Sequence, residues 1–176
     1  MTQLLLRDNG LMDSPRTLSV TMVDALWPMM KVALLRNRES DGLLSVYERL
    51  ALVPRSFDAA MAGFAIRDAR DLRAALLEVA GILKRGGLFL IVDLSKPDSS
   101  MKRKLVAFYW RAVAPLLAIV AAGGLGWKFG ALSTTFRRLP TQSNLLRMLE
   151  QAGFDVKVQE YRMLGGVCIL LLEKKY

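Results

Sequence analysis

The stretch LKRGGLFLIVD, residues 83–93, decides the fold class of this chain. Two glycines lead into an uninterrupted apolar run, Leu88 to Val92, which stops on Asp93. Such a run is typical of a strand that is covered on both faces, as in parallel sheets. The preceding residues, Asp71 to Lys84, carry leucine, valine and alanine at helical spacing. A helix is therefore predicted to lead directly into a buried strand.

Two earlier segments repeat this pattern of strand, acid or glycine, and helix. Thr17 to Val23 is rich in β-branched residues and ends at Asp24, and a helix is predicted over Met29 to Asn37. Ser56 to Ala62 is a short apolar segment that breaks at a glycine. Strands that alternate with helices predict an α/β fold. The parallel strands are expected at about 17–23, 57–62 and 88–93.

The last third of the chain predicts an antiparallel hairpin that closes this sheet. A helix over Thr141 to Ala152 precedes Phe154 to Met163, where apolar and polar residues alternate. Val167 to Leu172 is a fully apolar strand beyond two glycines. The hairpin is expected at about 155–172. No internal repeat or linker interrupts the chain, which predicts a single domain over residues 1–176.

A helical insert over residues 101–138 is the exception to the α/β pattern. Residues 105–127 are long enough to span a bilayer and carry one charge, Arg111. That charge, Pro115 and the glycines of 123–126 favour a broken helix. A spanning helix, an interfacial or substrate-lining helix, and plain core all stay open. We expect segment 101–127 to be helical, broken near Pro115 or the glycines, and packed as a lid or membrane-facing flap.

Composition limits the partners and the chemistry. The chain is 53% hydrophobic, its mean hydropathy is +0.28 and its net charge is +9, which favours an apolar contact surface and anionic partners. Phospholipid head groups and nucleic acid both fit that charge. Nucleic acid is disfavoured because the basic residues look scattered and no recognition module is present.

Several catalytic classes are excluded. The chain has no histidine, so a Ser-His or Cys-His arrangement or a histidine zinc site cannot be built. The lone cysteine, Cys168, lies in an apolar run and is expected to be a small buried hydrophobe. The first residues lack the pattern of a secretory signal, so a cytoplasmic location is expected.

Several motifs resemble those of the ubiquinone/menaquinone biosynthesis C-methyltransferases, which are class I S-adenosylmethionine-dependent enzymes. They are Ser56-Phe57-Asp58, Gly63-Phe64-Ala65-Ile66-Arg67-Asp68, Leu83-Lys84-Arg85-Gly86-Gly87-Leu88, Asp93-Leu94-Ser95-Lys96-Pro97, Tyr109 and Pro115, and Arg138-Leu139-Pro140-Thr141. The resemblance runs from about Val20 to Lys174. It implies a Rossmann-like methyltransferase sheet from its second strand onward, incomplete at the N-terminal strand, loop and helix.

The resemblance also implies site residues. Asp24 occupies the place of the acid that holds the cofactor's ribose hydroxyls, although an acid there can instead cap the next helix. Glu48 is the nearest substitute for the acid that contacts adenine, since Val46 and Tyr47 lie where that acid should be. Gly63 and Phe64 complete the implied cofactor side.

The implied substrate side consists of Arg67, Tyr109 and Arg137. Arg67 would lie at the mouth of the site, with a solvated arginine paired to Asp68 or Asp71 as the alternative. No catalytic residue is implied.

One family feature is missing from its expected place. The family begins with a strand that leads into a glycine-rich loop, and here only Asp8-Asn9-Gly10 resembles part of that loop. Gly10 and Asp24 are 14 positions apart, too few for the loop, a full helix and a strand. Thr2 to Arg7 or a partner chain would have to fill the slot of the first strand. We therefore expect this chain to bind S-adenosylmethionine weakly or not at all.

Two functions are compatible with the family resemblance and with the missing glycine-rich loop. The first is methyl transfer from S-adenosylmethionine to a ring carbon of a lipophilic quinone or quinol precursor, which needs positioning more than acid–base residues. A lipid tail would explain the apolar insert, and Lys102-Arg103-Lys104 would suit an anionic membrane surface. The alternative is a non-catalytic interaction protein that has lost its cofactor loop. A homo-oligomer or hetero-oligomer is compatible with both.

Overall fold

The computed structural model describes residues 3–8, 18–117 and 131–176. Its strands are β1 (Gln3–Asp8), β2 (Leu18–Asp24), β3 (Asp41–Leu44), β4 (Phe57–Gly63), β5 (Leu83–Leu94), β6 (Phe154–Arg162) and β7 (Val167–Lys174). Its helices are α1 (Trp27–Arg36), α2 (Leu72–Ile82), α3 (Ser100–Phe108), α4 (Ala131–Arg138) and α5 (Gln142–Gln151).

The seven strands form one mixed sheet in the order β3-β2-β1-β4-β5-β7-β6. β2 pairs with β3, and β4 with β5, in parallel, whereas β7 runs antiparallel between β5 and β6. The predicted α/β fold is confirmed, with the predicted parallel strands and the antiparallel hairpin in place. The short strand β3 was not predicted.

The slot between β2 and β4 is filled by β1, which runs antiparallel to both neighbours. Gln3 lies opposite Val23, and Asp8 lies opposite Leu18. β1 therefore fills the central slot as the sequence allowed, but its carboxyl end points to the sheet edge opposite Asp24. Asp8 cannot begin a cofactor loop at the Asp24 edge for this reason, while Asn9 and Gly10 lie outside the described residues.

The boundary between α2 and β5 lies earlier than predicted. α2 ends at Ile82 and β5 begins at Leu83, so the residues assigned to the end of the helix belong to the strand. The register to β4 shifts between Phe57 and Ala59, and Gly86 adopts a positive φ of 74° within the irregular stretch. Only glycine adopts that conformation without strain, so the glycine pair shapes an irregular strand start and does not end the helix.

The main hydrophobic core lies between the sheet and helices α2 and α5. Side chains that alternate along β4, β5 and β7 point into it. The Phe89 and Phe154 rings pack with centroids 5.6 Å apart, and both side chains are fully buried. Further core residues are Ala60, Ala62, Leu76, Val79, Ile82, Leu83, Ile91, Leu149, Cys168, Leu170 and Leu172. Cys168 is thus a buried free thiol, as expected.

The described parts of the insert, up to residue 117 and from residue 131, are largely helical. A π-helical turn, Tyr109–Val113, follows α3 directly, and helical backbone continues to residue 117. This π-helical turn lies just before Pro115, which lacks an N–H donor, and a wider turn accommodates such a residue. Residues 118–130, which include the glycine cluster, lie outside the described part. Among the helices that the structure describes, none is long and apolar enough to cross a membrane.

Two glycines near this boundary give a matched test of the fold. A Cβ on Gly87 would lie 2.9 Å from the Lys84 carbonyl oxygen and 3.2 Å from the Asp58 carbonyl oxygen, whereas a Cβ on Gly81 would meet nothing within 4 Å. We expect Gly87→Ala to lower the free energy of unfolding by about 1–3 kcal/mol. Gly81→Ala, in helix α2, should raise it by about 0.5–1 kcal/mol. Urea unfolding measures the free energy of unfolding of each variant. Equal effects of the two substitutions would contradict the close backbone contacts of Gly87 at the start of β5.

Candidate active site

The carboxyl ends of β2, β4 and β5 lie at one edge of the sheet, where ligands bind in open α/β folds. β2 and β4 run in the same direction because each is antiparallel to β1, and β5 is parallel to β4. This arrangement brings together Asp24, the turn that begins at Phe64, and Asp93. The candidate site is built on this edge.

Asp24 lies beside a cavity of about 550 Å³ although the residue is only 2% exposed. Its Oδ1 accepts a hydrogen bond of 2.8 Å from the Leu26 N–H. Leu26, and not Asp24, is the N-cap residue of α1, so the acid holds the turn before the helix and does not cap it. The cavity is lined by Asp24, Ala25, Leu26, Val46, Tyr47, Glu48, Asp68 and Arg70.

Glu48 lines the same cavity and accepts hydrogen bonds from the backbone that leads into helix α2. Its Oε1 accepts N–H hydrogen bonds from Arg70 at 2.6 Å and from Asp71 at 3.1 Å. Burial pushes the pKa of Glu48 upward, but these backbone hydrogen bonds outweigh it and keep the pKa below its usual range. Glu48 is therefore a carboxylate at neutral pH that fixes the start of helix α2 relative to the cavity.

Tyr47 completes this cavity and was not singled out as a site residue from the sequence. Burial, followed by the negative charges of Asp24 and Asp68, raises the pKa of Tyr47 to about 12. The phenol therefore stays protonated at neutral pH and can donate a hydrogen bond. No local sequence signal marks it, because its surroundings come from distant segments.

The turn after β4 carries Arg67 into a second part of the site. Phe64 adopts a positive φ of 50°, and its N–H donates to the Val92 carbonyl oxygen at 2.7 Å. The Arg67 guanidinium lies 5.6 Å from the Phe64 ring centroid, and its Nε is 3.7 Å from Asp68 Oδ1. Arg67 is thus stacked and ion-paired, with its side chain only 17% exposed. Gly63, which leaves open space where a Cβ would stand, and Phe64 lie behind the Asp24 cavity and not in its lining.

Asp93 supports this turn from beneath. It is 3% exposed, and its carboxylate accepts N–H hydrogen bonds from Leu94 at 2.6 Å and from Arg67 at 3.2 Å. Burial raises the pKa of Asp93 to about 6, despite these hydrogen bonds. The sequence marked Asp93 as the end of a strand but not as the support of Arg67.

A second cavity, of about 270 Å³, adjoins the first through shared residues. Asp68 and Arg70 line both cavities, and Arg67 and Arg138 line the second. Arg137 and Arg138 are both exposed, but Arg137 does not line this cavity, and its carbonyl oxygen accepts a 3.0 Å hydrogen bond from Lys96 Nζ. Of the two neighbouring arginines, the structure therefore places Arg138 in the cavity.

Tyr109 lies apart from Arg67, in a third cavity of about 220 Å³. That cavity lies between the insert and the turn before β7, and its lining is Leu105, Val106, Tyr109, Trp110, Met163, Leu164 and Gly166. Asp24 and Glu48 therefore line the same cavity. Arg67 lines the adjoining cavity, which shares Asp68 with the first, and Tyr109 lines neither.

The amino-acid sequence matches the model of the ubiE/COQ5 methyltransferase family over residues 15–175. The chain belongs to this family. The match covers most of the chain and includes every motif on which the sequence resemblance was based. The suspected resemblance is confirmed.

Individual relatives agree with the ubiE/COQ5 family. A demethylmenaquinone methyltransferase of Leptospira interrogans is 32% identical over 119 residues, which are 68% of this chain and 47% of that protein. A ubiquinone/menaquinone biosynthesis C-methyltransferase of Syntrophotalea carbinolica is 28% identical over 155 residues, which are 86% of this chain and 64% of that protein. The chain thus spans less than two thirds of each relative.

A solved structure shows the same fold at lower sequence identity. An S-adenosylmethionine-dependent methyltransferase from Thermotoga maritima superposes with a TM-score of 0.59 over 87% of this chain and 72% of that chain, at 20% identity. The ubiE/COQ5 family chain therefore has the class I methyltransferase fold.

The buried carboxyl of Asp93 gives a pH-dependent prediction. Because its folded-state pKa, about 6, exceeds the ordinary value of 3.8, ionisation costs stability as pH rises from about 4 to about 6. Relative to Asp93→Asn, the wild-type free energy of unfolding should fall by on the order of 2 to 3 kcal/mol across that range and stay level above it. Urea unfolding at successive pH values measures this difference. If the difference in unfolding free energy between the wild type and Asp93→Asn did not change with pH, the raised pKa of the buried Asp93 carboxyl would be contradicted.

Proposed function

We propose that this domain acts in S-adenosylmethionine-dependent methyl transfer to a ring carbon of a lipophilic quinone or quinol precursor. The observation that carries the proposal is the buried Asp24 at the carboxyl end of β2, facing a cavity of about 550 Å³ with Tyr47 and Glu48. Family membership and relatives named for demethylmenaquinone and ubiquinone/menaquinone biosynthesis support it.

The cavity fits the nucleoside half of the cofactor. Asp24 provides carboxylate oxygens suited to a vicinal diol, and Tyr47 provides a protonated hydroxyl. Leu26 and Val46 are large apolar side chains that line the same space, as a flat base requires. Glu48 and Asp68 complete the polar side of the cavity.

The described residues offer fewer groups that could bind the methionine half of the cofactor. β1 presents its amino end, Gln3, beside Val23, so a turn from this strand into a loop does not arise at the Asp24 edge. This direction supports the expectation of weak binding. The nucleoside half and the acceptor side are the parts of the proposed site that the described residues supply.

Bound S-adenosylmethionine would supply an electrophilic methyl group. The residues of this chain would hold the acceptor against it, because Arg67 and Arg138 offer two cations to an acceptor oxygen across one cavity. Asp93 orients Arg67 through its backbone N–H. Ile66, Leu72, Leu139 and Pro140 give the cavity its apolar walls.

The alternative of a non-catalytic interaction protein gains no support from these comparisons. The family and both relatives reported above are named for methyltransferases. The alternative would also leave the cavity beside Asp24 without a ligand. We therefore propose the enzymatic function.

A chimaera tests the proposed function. The strand, glycine-rich loop and helix of a relative would replace residues 1–17 in front of Leu18. One hydrogen bond to a charged group contributes about 1.5–3 kcal/mol, and micromolar binding requires about 8 kcal/mol. We therefore expect the original chain to bind S-adenosylmethionine weakly and the chimaera to bind it with micromolar affinity, as measured by titration calorimetry.

Two variants of the chimaera complete this test. Asp24→Ala should weaken binding at least about tenfold, because it removes a charged hydrogen-bond acceptor. The control Asp41→Ala, at an exposed carboxylate on β3, should leave binding unchanged. A folded chimaera without binding, or with binding indifferent to Asp24→Ala, would refute the nucleoside site.

A further inference from the structure

The insert carries a stripe of large apolar side chains that face solvent. Met101, Leu105 and Phe108 follow one another at i, i+4 and i+7 on α3 and are 69%, 52% and 63% exposed. The opposite side of α3 packs inward through Val106, which is 4% exposed. A helix normally turns such a stripe toward the core, so this stripe is available for another contact.

The turn before β7 extends this stripe. Met163 and Leu164 are 49% and 64% exposed and border the third cavity together with Leu105. Both residues have positive φ, 53° and 57°, a conformation that costs energy for side chains of this size. The strained turn thus presents two more apolar side chains beside α3. We call Met101, Leu105, Phe108, Met163 and Leu164 the apolar rim.

Positive charge is concentrated in the part of the sequence that begins with α3. Residues 99–149 contain eight lysines and arginines and none of the sixteen acidic residues, so this segment holds nearly all of the net charge of +9. The basic residues are therefore not scattered, contrary to the sequence expectation. Lys102, Lys104 and Arg111 are exposed on the same helical segment as the rim.

We propose that the apolar rim and its flanking cations dock onto the surface of an anionic phospholipid bilayer. An interfacial helix combines large apolar side chains, which enter the acyl boundary, with lysines and arginines that contact anionic head groups. The contact that we propose is peripheral, at the level of the head groups and the acyl boundary.

Other occupants match fewer of these features. A second copy placed symmetrically on the rim would bring the same cations together, which is unfavourable. Nucleic acid would use the cations but would leave the methionine, leucine and phenylalanine side chains without a partner. An anionic bilayer satisfies both the charge and the apolar surface.

The membrane contact rests on the proposed function in one respect. If the acceptor is a lipophilic quinone precursor, it resides in the bilayer, and docking there would bring the domain to its substrate. The third cavity opens beside Leu105 and Leu164 of the rim, so an apolar chain could enter it directly from the membrane. Binding to lipid is measured without methyl donor or acceptor. Its failure would leave the Asp24 test unaffected, and failure of the Asp24 test would leave lipid binding unaffected.

Vesicle co-sedimentation tests the proposal. The wild-type chain should bind phosphatidylcholine vesicles that contain about one third phosphatidylglycerol at least about tenfold more tightly than pure phosphatidylcholine vesicles. Leu105→Glu with Phe108→Glu, and Lys102→Glu with Lys104→Glu, should each weaken binding to the anionic vesicles at least about tenfold.

A matched control uses another exposed apolar helix face. Val32 and Leu35 on α1 are 46% and 63% exposed, so Val32→Glu with Leu35→Glu should retain binding. Circular dichroism establishes that each variant is folded. Absence of binding to anionic vesicles would overturn the proposal, as would equal loss in the α1 variant. Single-stranded nucleic acid binding without vesicle binding, or dimerisation that the Leu105→Glu pair abolishes, would overturn it too.

Discussion

The direction of the central strand is the constraint on which the rest of the structure depends. β1 pairs with β2 on one side and β4 on the other, and it thereby closes two edges that would otherwise be open to pairing with other chains. Being antiparallel to both, it keeps β2 and β4 parallel to each other, so Asp24 and the Phe64 turn reach the same edge. The same direction sends the carboxyl end of β1 to the opposite edge. The site is therefore built mainly from the carboxyl ends of strands β2, β3, β4 and β5 and from the segments that follow them.

Three carboxylates shape that edge, and each accepts hydrogen bonds from backbone N–H groups; Asp24 and Asp93 are buried, whereas Glu48 is partly exposed. Asp24 accepts the Leu26 N–H, Glu48 accepts two N–H groups before helix α2, and Asp93 accepts the Arg67 N–H. Asp93 carries an energetic cost, since burial raises its pKa to about 6. A carboxyl that costs stability at neutral pH and supports a cavity-lining arginine is typical of a functional site.

Local pattern predicted the fold well because strands and helices reveal themselves by periodicity. The run Leu88 to Val92 and the alternation after Phe154 need no knowledge of distant residues. The direction of β1 was not predictable, since an apolar strand such as Gln3–Asp8 has no polarity that its sequence reveals. The family resemblance assigned Asp24, Glu48 and Arg67 to the site. Asp93 and Arg138 lie in the quoted motifs but were given no site role, and Tyr47 lies in none of them, because tertiary contacts alone bring these three residues to the site. The positive φ of Met163 and Leu164 was likewise not predicted from the sequence, because side chains of this size rarely adopt it.

The most direct test of the account is a disulfide between the two central strands. In a Cys168→Ala background, Asp8→Cys is combined with Leu18→Cys or with Val23→Cys. The antiparallel register places residue 8 opposite Leu18, so we expect the Asp8–Leu18 pair to oxidise readily and the Asp8–Val23 pair to stay reduced. A parallel central strand would place residue 8 level with Val23, and preferential oxidation of that pair would contradict the account.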